Sequence, residues 1–471
     1  MNETELRCAA KRTQKADCVA WGAKEFGGAI LGDARRTERL TEMAAAASAN
    51  PHGAITAVFT GSAEREGAYR FVENDAVLLD DVGHAAHVAC FRRGESSVVF
   101  VPVDGSSLSL PAAKDNPRFG PVGTDDSTTR GVEVMSAIAL DEDGTPLGVC
   151  GQRYWVRKKA SKGRKASRRR LEEKETRHWL DVLEQALESH KESGSSAVPW
   201  FQLDRGGDFR EALLWACAVP AYLTVRAAQD RRVMSPDDTK LWDAVESCPV
   251  LGEYELTVPK GPRRTARNAQ MEVRATPVVL VLGEGKESVQ VELYAVHTKE
   301  VSPTPGGEEP VEWLLLTNRE VRTLDEARRV IYGYSLRWRI EEVHKTWKST
   351  CNIEVSALEE PAHLYIWATM LFAVAVRIER LKRLARATPA SPATVELRDD
   401  EIRALLALRD PKAYARHNVP TIAKAVLWIA ELGGYIGKSS GGPPGAITIG
   451  RGLKKLAPVV QALNNVSQSG K

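Results

Sequence analysis

The segment 96–103 most constrains the fold of this chain, because it is an almost unbroken run of apolar and β-branched residues. A strand of this composition is buried on both faces of its sheet, whereas a strand with one solvated face alternates polar and apolar residues. Other elements must then cover both faces of the sheet, and helices are the usual cover. The sequence therefore predicts an α/β fold, a mixed sheet with flanking helices.

Asp104 follows this apolar run directly. A carboxylate at the end of a buried strand is costly unless it is neutralised or hydrogen-bonded. Two interpretations stay open from the local sequence: Asp104 caps a turn at 105–107, or it is a ligand of a metal ion. The same pattern recurs at 199–203, a second short strand that ends on Asp204.

The segments after Asp104 predict further strands. Residues 133–156 have the pattern of a hairpin with its turn at 141–144. Three sequential antiparallel strands that begin with an aspartate-bearing one are typical of the opening of a ribonuclease-H-like fold. From about residue 253 to 316 the pattern is again β. This stretch is too long for a loop in a compact fold, so it predicts an inserted sheet.

A single helix is predicted from Leu324 to about residue 348, because Thr323 and Glu326 form a capping-box signature ahead of an apolar series. Gly333 is the one interruption by glycine or proline. At helical spacing, one hydroxyl, one carboxylate and three cations share a face of this helix. These residues are Tyr334, Arg337, Glu341, Lys345 and Lys348.

This charged face has two interpretations. A carboxylate flanked by cations suits a site that processes phosphodiesters, because the carboxylate ligates a metal and the cations hold the phosphates. Alternating charges on a helix are more commonly a solvated surface with weak ion pairs. Trp338 and Trp347 lie among these charges. Aromatic residues mixed with Arg and Lys are typical of a nucleic-acid contact, which favours the first interpretation.

The first 75 residues are predicted to be helical. Asp33 is placed to cap a helix whose first turns carry Arg35, Arg36 and Arg39. Cations near the start of a helix oppose the helix dipole, so an external anion is an expected partner. A surface salt bridge is an equally acceptable interpretation for each of these arginines.

The spacing Tyr-x2-Arg-x3-Glu-x6-Lys, filled by Tyr334, Arg337, Glu341 and Lys348, resembles the signature of bacterial DDE transposases of the IS-four group. The intervening Arg-Trp-Arg-Ile-Glu-Glu strengthens the resemblance. The segments Gly-Asp-x-Arg-Arg-Thr and Glu-Gly-Ala-Tyr-Arg-Phe, near the N-terminus, are similar to the DNA-recognition domain of that family. Ordered similarities cover nearly the whole chain.

The resemblance implies three domains. A helical DNA-recognition domain would span 1–75, and a ribonuclease-H-like catalytic domain interrupted by the β insertion would span 76–385. A helical domain at 386–471 would dimerise the protein. Two lysines of the family are replaced here by Ala49 and Ala228, and a basic run at 157–170 stands where the family has an acidic loop. These departures affect DNA contacts and leave the three carboxylates in place.

The resemblance also implies a function. The protein would be a cut-and-paste transposase that binds transposon ends, cleaves them by hydrolysis and through a hairpin intermediate, and joins the 3'-hydroxyl ends to target DNA. Asp104, Asp204 and Glu341 would be catalytic and would bind two Mg²⁺ ions, for which Mn²⁺ would substitute. The active form would be a homodimer in a synaptic complex with double-stranded DNA.

The resemblance further implies a set of DNA contacts. Trp313 would stack on a base pulled from the duplex, although core packing is the ordinary interpretation of a tryptophan in an apolar strand. The other implied DNA contacts, besides Arg35, Arg36 and Arg39, are Tyr334, Arg337, Lys348, Arg226, His344 and Lys345.

The overall charge does not by itself indicate a DNA-binding protein, because it is only +3 over 471 residues. Basicity must then be local. Seven dispersed cysteines favour reduced thiols, and we expect neither a signal peptide nor an apolar stretch of the roughly 18 residues that span a membrane. A cytoplasmic, nucleoid-associated bacterial protein is therefore predicted.

Two alternative functions are compatible with many of these features. A transposition inhibitor would bind DNA without catalysis, but it has no need to retain all three carboxylates. A ribonuclease-H-like nuclease would cut DNA without joining it, and it would not need Trp313.

Overall fold

The computed structural model describes residues 20–123, 128–158, 174–235, 239–261, 264–283, 288–416, 418–437 and 442–469. The N-terminal region is helical, as predicted. Asp33 caps its second helix, where the Asp33 carboxylate accepts a hydrogen bond from the backbone N–H of Arg35. The helices of this region are α1 (Ala20–Phe26), α2 (Ala34–Ala49), α3 (Ile55–Val58), α4 (Ser62–Val72) and α5 (Leu79–Phe91).

One mixed sheet forms the centre of the molecule, with strand order β2-β3-β1-β5-β6-β10-β9-β8-β7 and β4 paired to β3. Its strands are β1 (Val98–Ser109), β2 (Gly120–Pro121), β3 (Arg130–Leu140), β4 (Pro146–Trp155), β5 (Val198–Leu203), β6 (Tyr222–Arg226), β7 (Val250–Val258), β8 (Arg267–Leu282), β9 (Val289–Glu300) and β10 (Glu312–Thr317).

Strand β1 is buried on both faces, which confirms the prediction from its composition. Val98 and Phe100 belong to one hydrophobic core, and Val99 and Val101 belong to the core on the opposite face. The ladders of β1 with β3 and of β3 with β4 are antiparallel, and those of β1 with β5 and of β5 with β6 are parallel. This arrangement is a ribonuclease-H-like core within an α/β fold.

The predicted insertion is not a separate sheet. Strand β10 pairs with β6 in antiparallel register, with Leu315 opposite Arg226, and β9, β8 and β7 continue outward from β10. The edge of β6 would otherwise expose unpaired backbone N–H and C=O groups, which β10 satisfies. The insertion therefore extends the central sheet.

Helices cover both faces of this sheet. The helices that follow β4 in the chain are α6 (Arg177–Ser193), α7 (Arg210–Ala218), α8 (Leu241–Glu246), α9 (Leu324–Ser335), α10 (Trp338–Ser349), α11 (Pro361–Ala387), α12 (Asp399–Arg409), α13 (Pro411–Ala415), α14 (Ile422–Leu432) and α15 (Ala446–Ser469).

The long helix α11 corrects the expectation about apolar stretches. It is long and apolar enough to cross a membrane by length and composition, but 78% of its most apolar window is buried inside the protein. Most of its side chains from Leu364 to Leu381 are buried. In this structure α11 is therefore a core helix.

The predicted single helix at 324–348 is instead two helices, α9 and α10. The capping box of Thr323 and Glu326 is present at the start of α9, as predicted. At the end of α9, the Leu336 N–H bonds to the carbonyl of Gly333 at 3.1 Å, and the Arg337 N–H bonds to that of Tyr334 at 3.0 Å. The Leu336 N–H is shared with the carbonyl of Tyr332 at 3.2 Å, so the α-helical ladder passes into i→i+3 bonds here. Gly333, in the same turn, lies against Phe100 of β1 and Gln202 of β5.

Candidate active site

Asp104 and Asp204 are brought together by neighbouring parallel strands. Pro102 of β1 lies opposite Gln202 of β5, so the register places Asp104 level with Asp204, which directly follows β5. Strand β1 does not end at Asp104, because it continues to Ser109 while paired only with β3. Residues 105–107 are therefore strand rather than the turn considered for them, although Asp104 Oδ1 does accept a hydrogen bond from the Gly105 N–H at 2.8 Å.

Glu341 approaches these aspartates from the first turn of α10. Arg337, just before that helix, lies between the first and third carboxylates. Its Nη1 donates to Asp104 Oδ2 at 2.9 Å, and its Nη2 donates to Glu341 Oε1. One guanidinium thus bridges two carboxylates that are remote in sequence.

The carboxylates are close enough to influence one another. Burial raises the pKa of Asp104 to about 6, the Arg337 guanidinium opposes that rise, and the charges of Asp204 and Glu341 add to it. Burial is thus the main cause of the raised pKa, and the two neighbouring carboxylates disfavour ionisation of Asp104 further, because like charges repel.

The donor set fits a hard divalent cation, because carboxylate oxygens are the ligands that Mg²⁺ and Mn²⁺ prefer. The Arg337 guanidinium already occupies a cationic position between Asp104 and Glu341. Across the described ranges, no group of three or more His, Cys, Asp or Glu residues is arranged as it stands to hold a metal ion.

Tyr334 and Arg226 lie beside this site. The Tyr334 side chain is buried, and both Arg226 and Arg337 lie within hydrogen-bonding reach of its hydroxyl. Burial raises the pKa of Tyr334, so the phenol is neutral at ordinary pH. Arg226 ends β6 and donates to the backbone carbonyl of Glu312 at 3.1 Å. Tyr334, Arg226 and Arg337 are thus neighbouring hydrogen-bond donors next to the carboxylates.

Trp313, in β10, packs against the core, and its stacking on a DNA base stays a prediction. Its ring packs edge-on against Tyr334, with centroids 5.1 Å apart and an angle of 75° between the planes. It also lines a cavity of about 490 Å³, whose other walls include Tyr254, Met271 and Tyr332. Trp313 therefore contributes to the packing and keeps a surface on an open, largely apolar cavity.

The implied DNA contact of His344 needs correction. Its side chain is 6% exposed and packs against Phe372 of α11, with ring centroids 5.7 Å apart. Burial lowers the pKa of His344 to about 3, so the ring is neutral. Because His344 lies on the side of α10 that faces α11, it points into the core rather than toward the carboxylates.

The two lysines of α10 remain accessible. Lys345 is exposed and Lys348 is half-buried. Lys348 is close enough to Glu133 to oppose the rise that burial causes in the pKa of that carboxyl. Both cations therefore remain candidates for phosphate contacts.

Trp338 is a further candidate for a DNA contact, although it was not among the contacts predicted from the resemblance. Its ring is 60% exposed, and the Arg337 guanidinium carbon lies 5.8 Å from the ring centroid. An exposed aromatic ring beside arginine is typical of nucleic-acid contacts. Its position immediately after Arg337 in the signature was the available signal.

The arginines of α2 differ in their surroundings. Arg35 is 86% exposed and pairs with Asp33 at 2.8 Å, whereas Arg36 donates to the backbone carbonyl of Leu31 at 2.8 Å. Arg39 lies 3.4 Å from Glu42. Arg35 is thus the most accessible of the three. Most of the predicted basic run at 157–170 lies outside the described residues.

Three family models match this chain. A model described as "Transposase DNA-binding" matches residues 19–77, one described as "Transposase DDE domain" matches 264–377, and one described as "Transposase Tn5 dimerisation domain" matches 373–469. Together these matches cover more than half of the chain. Glu341 and Arg337 lie inside them, while Asp104 and Asp204 lie in the segment between the first and second matches.

Proposed function

This chain belongs to the Tn5-like DDE transposases, and we propose that it moves a DNA element by cutting its ends through a hairpin intermediate and joining the free 3'-hydroxyls to target DNA. It is a DNA-binding enzyme whose DDE domain implies dependence on a divalent metal. The hairpin step, the joining step and the number of ions are parts of the proposal.

The observation that carries this proposal is the meeting of Asp104, Asp204 and Glu341 from three distant segments of the chain. These three carboxylates would hold two Mg²⁺ ions. Ions held there, Mg²⁺ or Mn²⁺, would supply Lewis-acid activation of the attacking water or 3'-hydroxyl and charge stabilisation of the leaving oxygen.

The surrounding cations would hold the DNA backbone on either side of the cleaved bond. Arg337 bonds to two of the carboxylates, Arg226 lies beside Tyr334, and Lys348 lies near Glu133. Arg matches the geometry of a phosphate with two parallel hydrogen bonds. The hydroxyl of Tyr334 is held neutral by burial and would donate to a phosphate oxygen. The exposed Lys345 would extend this contact along the duplex.

Trp313 and its cavity support the hairpin step. A hairpin requires a tight bend of the strand, and unstacking a base there costs a few kcal/mol. Stacking of that base on an aromatic ring returns about 1–3 kcal/mol. The cavity beside Trp313 has room for a base, and its walls are largely apolar.

The dimerisation match supports a homodimer as the working form. We propose that the dimer pairs two transposon ends in a synaptic complex before it engages target DNA. Arg35, Arg36 and Arg39 of the N-terminal region would contribute to recognition of those ends. We also propose that it acts on DNA in the bacterial cytoplasm, in association with the nucleoid.

The test is cleavage of a linear DNA that carries the element's own ends, in Mg²⁺ or Mn²⁺. We expect wild-type protein to yield hairpin-ended and joined products, and Glu341→Gln to yield neither while still binding the ends. Glu342→Gln is the matched control, because Glu342 lies on the same helix and pairs with Arg339 and Lys382 instead. Wild-type protein that binds the ends but never cuts them would favour the inhibitor alternative.

A further inference from the structure

Arg337 makes contacts that a phosphate-binding residue of a metal-dependent site does not require. We propose that its guanidinium has two alternative sets of partners: the carboxylates of Asp104 and Glu341 before a divalent cation binds, and a DNA phosphate afterwards. The exchange would make cation binding and DNA binding assist each other. This inference rests on the proposed function and concerns the order in which the same site is filled.

The first observation is the bridge itself. Asp104 and Arg337 are 233 residues apart in sequence, yet Nη1 and Oδ2 lie 2.9 Å apart, and the other terminal nitrogen of the same guanidinium bonds to Glu341. The Arg337 side chain is only 12% exposed. Charge-assisted bonds in a partly buried position are among the stronger hydrogen bonds in proteins.

The second observation concerns competition for the same oxygens. A divalent ion such as Mg²⁺ binds its oxygen ligands at about 2.0–2.1 Å, and so draws them close around one point. The Arg337 guanidinium instead lies between Asp104 Oδ2 and Glu341 Oε1, and its positive charge repels a second cation. The guanidinium and an ion held between these two oxygens would therefore compete for the same position.

The third observation concerns the position of Arg337 relative to a possible new partner, a DNA phosphate. Its guanidinium lies beside the exposed ring of Trp338, on the accessible side of α10. Without new partners, the released guanidinium would remain partly buried and would lose both carboxylates, with the Tyr334 hydroxyl still in reach, and that loss is costly. A DNA phosphate removes that cost. Cation binding without DNA therefore breaks bonds with no replacement, whereas cation binding with DNA exchanges one set of bonds for another.

The first experiment measures cation binding without DNA. Binding of Mn²⁺ to the full-length protein is followed by electron paramagnetic resonance of the free ion. We expect Arg337→Gln to bind Mn²⁺ about tenfold more tightly than wild type, because the bonds that compete with the ion are lost. Arg226→Gln is the matched control, since Arg226 is a cation of the same site that ends β6 and donates to the Glu312 carbonyl.

The result that would overturn the proposal is Mn²⁺ affinity in Arg337→Gln that equals or falls below that of wild type. An increase of the same size in Arg226→Gln would also overturn it, because a general loss of positive charge would then explain the effect. Arg337→Lys is a second variant, used in case the neutral Arg337→Gln does not fold. Lysine keeps the charge but has a single nitrogen, so we expect it to give an intermediate affinity.

The second experiment measures the coupling between Mn²⁺ binding and DNA binding. Mn²⁺ titrations are repeated with a pre-cleaved transposon-end duplex, so that no strand is cut during the measurement. We expect the duplex to raise the Mn²⁺ affinity of wild type by a larger factor than that of Arg337→Gln, because coupling through a shared residue is reciprocal. Equal factors in the two proteins would contradict the exchange.

Failure of the proposed metal site gives a different result from failure of the exchange. Asp104→Asn should abolish Mn²⁺ binding whether residue 337 is Arg or Gln. Persistent binding in Asp104→Asn would refute the proposed site and with it this inference. Loss of binding in Asp104→Asn with no effect of Arg337→Gln would refute the exchange alone.

Discussion

Asp104 lies level with Asp204 because β1 and β5 are parallel neighbours whose ladder ends at the pair of Pro102 and Gln202. The carboxyl ends of adjacent parallel strands form a common edge, and ligands commonly bind there in open α/β sheets. Beyond that pair, β1 continues with β3 as its partner and leaves the aspartates facing α10.

Asp104→Asn and Asp204→Asn are each expected to lower strand cleavage by more than the about 10–100-fold that changes to outer-sphere groups cost. Removing a negative charge beside the DNA backbone should leave end binding unchanged or make it tighter. Gel-shift and cleavage assays on the same end duplex measure the two effects. Parallel loss of binding and cleavage would show that these residues maintain the fold rather than the chemistry.

Trp313→Ala is expected to reduce hairpin formation more than the initial nick, because only the bent strand needs a stacking surface. A loss of about 1–3 kcal/mol of stacking corresponds to roughly a five- to 150-fold decrease in that step. Trp313→Phe should restore part of it and should also preserve the packing against Tyr334. Sequencing-gel analysis separates nicked from hairpin products, and equal loss of both would argue for core packing alone.

Arg35→Gln and Arg36→Gln should separate recognition from structure. Arg35 is largely exposed, so its loss should weaken end binding and reduce the slope of log affinity against log salt concentration by about 1. Arg36 bonds to the Leu31 carbonyl, so its loss should lower the unfolding temperature of the protein in addition to any effect on end binding, and Arg35→Gln should not lower that temperature. Salt-dependent binding and thermal unfolding of both variants test this, and the reverse assignment would contradict it.

His344→Gln should alter the acid stability of the protein and leave DNA binding intact. Burial holds the pKa of His344 at about 3 in the folded state, below its ordinary value in an unfolded chain. The unfolded state therefore binds the additional proton first. His344 thus favours folding above the unfolded pKa of about 6.5 and lowers the free energy of unfolding as pH falls toward 3.

Denaturant unfolding of wild type and His344→Gln between pH 7 and pH 4 measures this contribution. As pH falls, the free energy of unfolding of wild type should decrease more steeply than that of His344→Gln. The difference in slope should correspond to about one additional proton bound by the unfolded state. Lys345→Gln, one residue away and exposed, is the control and should instead weaken DNA binding. Identical pH profiles for wild type and His344→Gln would show that the ring is not held neutral.

Much of the local architecture could be predicted from neighbouring residues. The composition of 96–103 predicted a strand buried on both faces, and Asp33 and the pair of Thr323 and Glu326 predicted two helix starts. These features depend on hydrogen bonds and side-chain periodicity within a few residues, which the order of amino acids records directly. The spacing of the signature likewise identified Glu341 and its cations as candidates.

The arrangement of these parts was decided by tertiary structure. Pairing of β10 with β6 made the insertion part of the central sheet, and the contact of α9 with that sheet accompanies the break before Arg337. The packing of α10 on α11 turned His344 inward, and the bridge of Arg337 to Asp104 joins residues 233 positions apart. Such contacts depend on sheet order and on which helix faces meet, and helical or strand periodicity does not encode either one.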